Sequence, residues 1–271
     1  MKKVSVLIPL YNKENFILET IFSVDRQITK DVFKIEVIIV NDCSTDRSLE
    51  IVKDYIWKNE NVEVKIIENE VNLGPSASLN KALEVLSGDY VALLDADDVL
   101  TRYSLHSRFN ALEKSNEYDW LSGLELRMEA NGNIIVGREF VKYNPPVEQK
   151  EIINGLLTGE LFLPTSSLFF KSKIFKNIKW IDSMRSSPEF ALCIMVALAQ
   201  FKLLLIEEYV AIYRYHQEGS SESLYQITKS NGQKVKDFTT LKLYLESKLT
   251  KDQNKYLDVW INKWKNEQVS K

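Results

Sequence analysis

Three carboxylates stand within four residues, directly after a short apolar run. The run is Val91–Leu94, and Asp95, Asp97 and Asp98 follow it. Such a run is typical of a strand that is buried on both faces, and the carboxyl end of that strand is the usual ligand edge of an open α/β sheet. Carboxylates crowded at this edge repel one another and lose hydration, so we expect a cation among them. Mg²⁺ or Mn²⁺ fits best, because hard divalent cations take oxygen ligands.

The same carboxylates have a second interpretation when the segment is considered alone. They could form a solvated acidic turn that caps a helix starting near Thr101. The segment itself does not separate these two interpretations. The earlier part of the chain favours the ligand site, because its polar residues fall at equivalent places.

Three strands are predicted upstream of the acidic segment, and polar residues follow each of them. Apolar residues at helical spacing come after each polar cluster. Four such β-α units in a row predict a mostly parallel sheet with helices on both faces, so the polar clusters should converge at one sheet edge. The strands and their polar clusters are Val4–Ile8 with Pro9–Asn12, Glu36–Val40 with Asn41–Asp46, and Val62–Ile67 with Asn69 and Asn72–Pro75.

The order and spacing of these segments resemble the nucleotide-binding half of a family 2 glycosyltransferase of the GT-A fold. The resemblance covers residues 1 to about 110 and rests on Val6–Glu14, Ile38–Asp46, Asn72–Pro75 and Leu94–Asp98. It implies a nucleotide-diphosphate-sugar donor, with a UDP-sugar expected here, a divalent metal and usually inversion at the anomeric carbon. It also implies an acceptor hydroxyl on a glycan or a lipid-linked sugar, as in bacterial surface polysaccharide synthesis. It does not specify the sugar or the acceptor.

The resemblance also implies roles for individual residues. Asp42 would contact the uracil or its ribose, and the turn from Pro9 to Asn12 would pack around the base. The alternatives are helix capping for Asp42 and ordinary packing for Tyr11. The residues predicted to bind the nucleotide-sugar are Pro9, Tyr11, Asn12, Glu14, Asp42, Asn72, Gly74, Asp95, Ala96, Asp97 and Arg214.

A metal at the acidic segment would stabilise the negative charge that grows on the departing diphosphate. Asp97 is the first choice for a metal ligand. Asp95 and Asp98 would either ligate the ion or hold its waters, or one of them would accept a ribose hydroxyl. The sequence alone does not divide these roles among the three.

Inverting transfer also needs a general base to take the proton of the acceptor hydroxyl. The family commonly places a Glu-Asp pair ahead of a helix, with the Asp as base. Here Pro188 and Glu189 fall at the matching positions, so Glu189 is the predicted base. The alternative is a first-turn glutamate that is favoured by the helix dipole. Because the acidic pair is altered, a nucleotide-sugar-binding protein with weak or lost transferase activity stays open.

Two further segments bear on the phosphates of the donor. Ser78–Asn80 stands where the family often has Ala-Arg-Asn, so a contact from that arginine is missing. Tyr213–Ser221 resembles the closing segment of the family. Within it Arg214 could clamp a phosphate, and His216 could meet the diphosphate or the metal or could be a surface histidine.

The organisation of the chain follows from its composition. Its 271 residues suit one large α/β domain, with residues 1–115 as the nucleotide-sugar half and residues 116–228 as the acceptor half. Asn131-Gly132 predicts a hairpin turn in the second half. Residues 229–271 carry ten lysines against five acidic residues and predict two amphipathic helices. These helices would cover the sheet, lie on an anionic membrane, or pair with a second subunit.

Several classes are excluded or disfavoured. The net charge of −3 gives no reason to expect nucleic-acid binding. There is no Gly-x-Gly-x-x-Gly after the first strand and no P-loop, which excludes those nucleotide sites. No run is long enough to span a bilayer, no N-terminal signal is visible, and the two cysteines favour reduced thiols. We therefore expect a cytoplasmic protein, either free or peripheral at the inner face of the membrane.

Overall fold

The structure is a computed structural model that describes residues 1–129, 132–136, 148–215 and 224–269. The first part of the chain alternates strands and helices. Its elements are β1 (Lys2–Leu10), α1 (Ile17–Asp25), β2 (Phe33–Asn41), α2 (Ser48–Asp54), β3 (Val62–Glu68), α3 (Pro75–Val85), β4 (Tyr90–Leu93), β5 (Val99–Leu100) and α4 (Ser104–Lys114).

The remainder of the chain is less regular. Two short 3₁₀ turns, Thr165–Ser167 and Ser172–Lys176, flank one of its strands. Its elements are β6 (Trp120–Met128), β7 (Ile134–Val136), α5 (Gln149–Thr158), β8 (Phe169–Lys171), α6 (Pro188–Leu198), β9 (Leu203–Arg214), α7 (Leu224–Leu245) and α8 (Lys251–Val269).

Within the described ranges, nine strands form one sheet in the order β3-β2-β1-β4-β8-β6-β9-β5, with β7 paired to β6. The first four strands of that order are parallel to one another, as the sequence predicts. The later strands make the sheet mixed, because β8 runs antiparallel to both of its neighbours while β6 and β9 are parallel. The acidic segment therefore leaves β4 in the middle of the sheet and leads to β5 at its far edge.

Helices cover both faces of the sheet, as predicted. On one face, Ile21 of α1 and Leu105 of α4 are fully buried against the strands. On the other face α3, α5 and α6 pack together with the two C-terminal helices around Leu192, which is also fully buried. Each fully buried residue of this kind stabilises the fold by about 1.5–3 kcal/mol, so the two cores hold the sheet firmly from both sides.

The C-terminal helices belong to this second core. Leu241, Leu245 and Leu257 are fully buried in it, whereas Tyr244 and Tyr256 are 50% and 39% exposed. Helix α7 begins at Leu224, before the predicted boundary at residue 229. The two helices therefore pack in the core on this side of the sheet, where α8 contacts α5. No helix in the described part of the chain is both long and apolar enough to cross a membrane.

The predicted hairpin is present, because β6 and β7 pair antiparallel from Leu126 opposite Val136 to Met128 opposite Ile134. Gly132 has φ +84°, which favours glycine at this turn. Asn131 lies outside the described residues, as does the Pro145-Pro146 stretch that follows the hairpin.

Candidate active site

The carboxyl ends of β1, β2 and β4 open into one cleft with a volume of about 620 Å³. The N-termini of α3 and α6 and the end of β9 complete its walls. The structure thus brings together ten of the residues singled out in the sequence. They are Pro9, Tyr11, Asp42, Asn72, Gly74, Asp95, Ala96, Asp97, Glu189 and Arg214.

The three carboxylates of the acidic segment do not point the same way. Asp95 and Asp97 line the cleft. Asp98 is 2% exposed and turns inward, where its Oδ2 accepts the Ser166 hydroxyl at 2.6 Å and its Oδ1 accepts the Arg214 backbone N–H at 3.1 Å. Asp98 therefore holds the acidic segment against β9 and the Thr165–Ser167 turn, and it does not line the cleft.

Oxygen ligands fit a hard divalent cation. In the described ranges, no group of three or more His, Cys, Asp or Glu side chains is arranged to hold a metal ion. Two cleft-facing carboxylates, Asp95 and Asp97, suit Mg²⁺ or Mn²⁺ that completes its coordination with water and substrate phosphates. His216, the remaining predicted ligand, lies outside the described residues.

The electrostatics of Asp95 agree with such a site. Burial, together with the charges of Asp97 and Glu189, raises the pKa of the Asp95 carboxyl to about 8, and the Lys13 ammonium opposes this rise. Burial and the charges of Asp95 and Asp97 also raise the pKa of Asp98. A cleft that disfavours ionised carboxylates to this degree favours a bound cation.

Asp42 organises the turn at the start of α3. Its Oδ1 accepts the Leu73 N–H at 2.8 Å and the Asn69 amide at 2.8 Å, and its Oδ2 accepts the Gly74 N–H at 2.8 Å. The alternative that Asp42 caps α2 is wrong, because Asp46 accepts the Ser48 N–H there, at 3.0 Å. Asp42 thus fixes the backbone that forms one wall of the cleft.

Asn12 and Glu14 are exposed and are not among the residues that line the cleft. The Asn12 Oδ1 accepts the Thr45 N–H at 2.8 Å. A carboxylate oxygen of Glu14 accepts the Arg47 N–H at 3.0 Å. Both side chains join the loop after β1 to the loop after β2, so in the structure they position neighbours of the site.

Glu189 lies in the first turn of α6, which begins at Pro188 as predicted. Burial raises the pKa of the Glu189 carboxyl to about 7. The residue also borders a second cavity of about 170 Å³, whose aromatic lining includes Phe238, Trp260 and Trp264. A carboxyl group whose pKa lies near neutrality, between two cavities, is suited to act as a general base.

Arg214 connects the end of β9 to the acidic segment. Its Nε donates to the Asp97 backbone carbonyl at 3.0 Å, and its guanidinium also contacts the Glu19 carboxylate and lies over the Phe16 ring. Its position in the cleft wall is compatible with the predicted contact to a phosphate.

Sequence reasoning missed three cations that line the cleft, Lys13, Arg185 and Lys234. Arg185 donates to the Asn72 side-chain oxygen at 2.7 Å and brings a guanidinium to a cleft whose Ser78–Asn80 segment lacks one. Lys234 lies on α7, with its ammonium 4.3 Å from the centre of the Trp264 ring. Lys13 lies between Asn12 and Glu14 in the sequence, and that position was the available signal for it. Arg185 and Lys234 reach the cleft from other segments, so local spacing gives no signal for them.

A buried arginine beneath the acidic segment was missed as well. Arg108 is fully buried and donates to the carbonyls of Ser166 and Leu168 at 3.2 Å each. Burial lowers the pKa of its guanidinium to about 9. Arg108 thereby fixes the turn whose Ser166 hydroxyl holds Asp98. In the sequence it is one polar residue on an amphipathic helix.

These features agree with the sequence comparisons. The chain belongs to glycosyl transferase family 2, whose sequence model matches residues 5–179. An uncharacterized glycosyltransferase of Methanocaldococcus jannaschii is 30% identical over 90% of this chain and 80% of its own length. The poly(ribitol-phosphate) beta-glucosyltransferase of Bacillus spizizenii is 36% identical over 64% of this chain, which covers only 26% of that enzyme. The predicted family and the assignment as a glycosyltransferase are confirmed.

Solved structures confirm the predicted GT-A fold. Staphylococcus aureus TarS, in complex with UDP, matches 100% of this chain and 72% of its own, with a TM-score of 0.62 at 22% identity. The mannosyltransferase PcManGT of Pyrobaculum calidifontis, in complex with GDP-Man and Mn²⁺, matches 88% of this chain and 63% of its own, with a TM-score of 0.62 at 16% identity. At these identities the likeness establishes the fold alone.

Proposed function

We propose that this protein is a metal-dependent, inverting glycosyltransferase that moves a sugar from a UDP-sugar to a hydroxyl of a glycan or lipid-linked acceptor. The observation that carries the proposal is the arrangement of Asp95, Asp97 and Glu189 around one cleft. The reaction needs a site for a divalent cation and a group that accepts a proton. Asp95 and Asp97 suit the first of these functions, and Glu189 suits the second.

In the proposed reaction, Glu189 takes the proton of the acceptor hydroxyl as its oxygen attacks the anomeric carbon. The bond from that carbon to the diphosphate breaks on the opposite face, which inverts the configuration. A divalent cation held by Asp95 and Asp97 would stabilise the charge that develops on the departing diphosphate. Arg214 and Arg185, which line the cleft, would add positive charge close to the phosphates.

Uracil is the base that we propose for the donor. The Asp42 Oδ2 accepts one hydrogen bond in the described structure, from Gly74, and a carboxylate oxygen can accept two. The remaining lone pair can accept an N–H of a uracil ring or a ribose hydroxyl. TarS was solved with UDP and with UDP-GlcNAc, whereas PcManGT was solved with GDP-Man, so the choice of base has to be measured.

Titration calorimetry with UDP, GDP and ADP in the presence of Mn²⁺ tests the donor class. We expect UDP to bind most tightly and to lose most of its affinity when EDTA removes the metal. A clear preference for GDP or ADP would contradict the uracil assignment. Binding of UDP that is insensitive to EDTA would contradict the proposal that a metal is required.

A second candidate function is a nucleotide-sugar-binding protein with little or no turnover. Pro188 favours it, because it replaces the first acid of the pair that the family commonly carries. Incubation of UDP-sugars with a panel of glycan and lipid-linked acceptors separates the two candidates. Tight donor binding without transfer or donor hydrolysis would support the binding protein.

We also propose that the protein acts in the cytoplasm, free or at the inner face of the membrane. The apolar faces of α7 and α8 are buried in the core, so their lysines support a peripheral contact through charge alone, by attraction to anionic lipid. Sedimentation with anionic vesicles tests it, and neutral vesicles are the control.

A further inference from the structure

Lys13 and Asp97 form an ion pair inside the cleft, although they lie 84 residues apart in the chain. The Lys13 ammonium contacts the Asp97 Oδ2, and both residues line the cleft. The two side chains are only 22% and 18% exposed, so solvent screens the pair less than it would a surface pair. A positive charge of the protein therefore already stands beside the carboxylate to which we assign the metal.

A divalent cation and an ammonium compete for the same carboxylate. Asp97 is one of the two acidic-segment carboxylates that face the cleft, because Asp98 is turned inward to Ser166. A cation that binds Asp97 directly would come close to the Lys13 ammonium, and the two positive charges would repel each other. Binding of metal to the nucleotide-free protein should therefore be opposed until the ammonium moves away.

The side chain of Lys13 can move while its backbone stays in place. Its N–H donates to the Ser48 hydroxyl at 2.7 Å, and its carbonyl accepts the N–H groups of Phe16 and Ile17 at 2.9 Å each. These contacts fix the main chain at the start of α1. A lysine ammonium sits on a flexible four-carbon stem, so it can exchange one anionic partner for another nearby.

We propose that Lys13 is an exchangeable counter-ion that couples metal binding to donor binding. This inference rests on the proposed function. In the nucleotide-free protein the ammonium neutralises Asp97 and opposes the divalent cation. When a nucleoside diphosphate enters, the ammonium pairs with the phosphates and releases Asp97 to the metal. Each ligand then increases the affinity for the other by the same factor.

The variant Lys13→Met tests this exchange. Titration calorimetry measures the affinity for Mn²⁺ with and without saturating UDP, and Mn²⁺ paramagnetic resonance gives an independent count of bound ion. We expect the affinity of the nucleotide-free variant for Mn²⁺ to be about fivefold higher or more than that of the wild type. We also expect the factor by which UDP tightens Mn²⁺ binding to shrink by about tenfold, which is within the usual range of coupling between sites. Lys13→Arg keeps the charge and should leave nucleotide-free metal binding weak.

Two matched controls separate exchange from a general loss of charge. Arg185→Met removes one positive charge from the cleft wall, and its described guanidinium contacts are to Asn72 and not to Asp97. Lys53→Met removes a half-exposed lysine that pairs with Glu68 outside the cleft. We expect neither control to raise nucleotide-free Mn²⁺ affinity as Lys13→Met does.

The outcomes are distinct. The exchange is overturned if Lys13→Met leaves the nucleotide-free affinity for Mn²⁺ unchanged, or if Arg185→Met raises that affinity equally. In either case, metal-dependent binding of UDP to the wild type still supports the proposed function. If wild-type protein binds no nucleoside diphosphate with Mn²⁺, the proposed function and the exchange are both refuted. Circular dichroism and urea unfolding of Lys13→Met verify that the fold is retained.

Discussion

Asp237 on helix α7 accepts the backbone N–H of Ser186 at 2.7 Å, just before the start of the helix that carries Glu189. The same Oδ2 accepts the Arg185 N–H at 3.0 Å and the Ser186 hydroxyl at 2.7 Å. Asp237 is 1% exposed, and hydrogen bonds to a buried carboxylate are among the stronger ones in proteins. The C-terminal helices therefore position the predicted base as well as packing in the core.

The role of Glu189 is tested by Glu189→Gln. A general base acts in the chemical step, so the variant should bind UDP and Mn²⁺ nearly as the wild type does while transfer falls by about 10² or more. The assay needs a true acceptor, because water can attack the donor slowly without a positioned base. Transfer at the wild-type rate would mean that the base is another residue, and Asp182 is the nearest upstream carboxylate to examine.

The pH dependence of transfer gives a separate check on Glu189. Burial raises its pKa to about 7, and a base must be deprotonated to act, so kcat/KM should fall below pH 7 by about tenfold per pH unit. A glutamate with an ordinary pKa would keep its activity to below pH 5. The residual kcat/KM of Glu189→Gln should not show this fall near pH 7. If the fall in kcat/KM near pH 7 persists in the variant, the group that titrates there is not Glu189.

The metal assignment is tested by Asp97→Asn. We expect the variant to lose metal-dependent UDP binding and turnover together, because the carboxylate contributes to the ground-state complex. This pattern differs from that of Glu189→Gln, which should retain binding. Calorimetry with Mn²⁺ and UDP makes the measurement, and circular dichroism verifies the fold. Unchanged affinity for UDP in the presence of Mn²⁺ would show that Asp97 is not a metal ligand.

A buried carboxylate away from the cleft provides a contrast. Glu36 is fully buried, which tends to raise its pKa, but hydrogen bonds from Lys65, Ser5 and Ser87 lower the pKa to about 2. A lowered pKa means that the ionised group stabilises the fold above pH 4.5 and that this stability is lost as pH falls toward 2. Glu36→Gln should therefore cost about 1–3 kcal/mol at pH 7 and less near pH 3, as measured by urea unfolding.

The same variant should leave metal-dependent binding of UDP intact at pH 7. Folded Glu36→Gln protein with strongly reduced affinity for UDP would show that the carboxylate influences the cleft. That outcome would contradict a purely structural role for Glu36.

The N-terminal half of the fold is predictable from sequence because its strands are rich in apolar residues and are followed by polar ones. Asp42, Asn72 and Asp97 each follow such a strand, and parallel strands bring their carboxyl ends to one edge. β8, in contrast, has only three residues, Phe169–Lys171, which is too short for a periodic signal. β5 is shorter still, and it forms because β9 offers it a pairing edge.

Side-chain direction at the site is what the sequence could not give. The spacing of Asp95, Asp97 and Asp98 does not reveal that the last one turns inward, because that depends on Ser166 and the Arg214 backbone. The ion pair between Lys13 and Asp97 could not be predicted from the sequence either, because it joins the loop after β1 to the loop after β4. Contacts of this kind are set by tertiary packing, which local patterns do not encode.

The contact between Asp237 and Ser186 also has a consequence for the order of events on the ribosome. Helix α7 follows every strand of the described sheet in the chain. Synthesis proceeds at about 5–20 residues per second, so for some seconds the residues of the sheet have been synthesised while those of α7 and α8 have not. During that interval the apolar face that the two helices cover is open to chaperones and proteases, and Ser186 lacks its carboxylate partner. We therefore expect this face to stay exposed until α7 docks and Asp237 reaches Ser186.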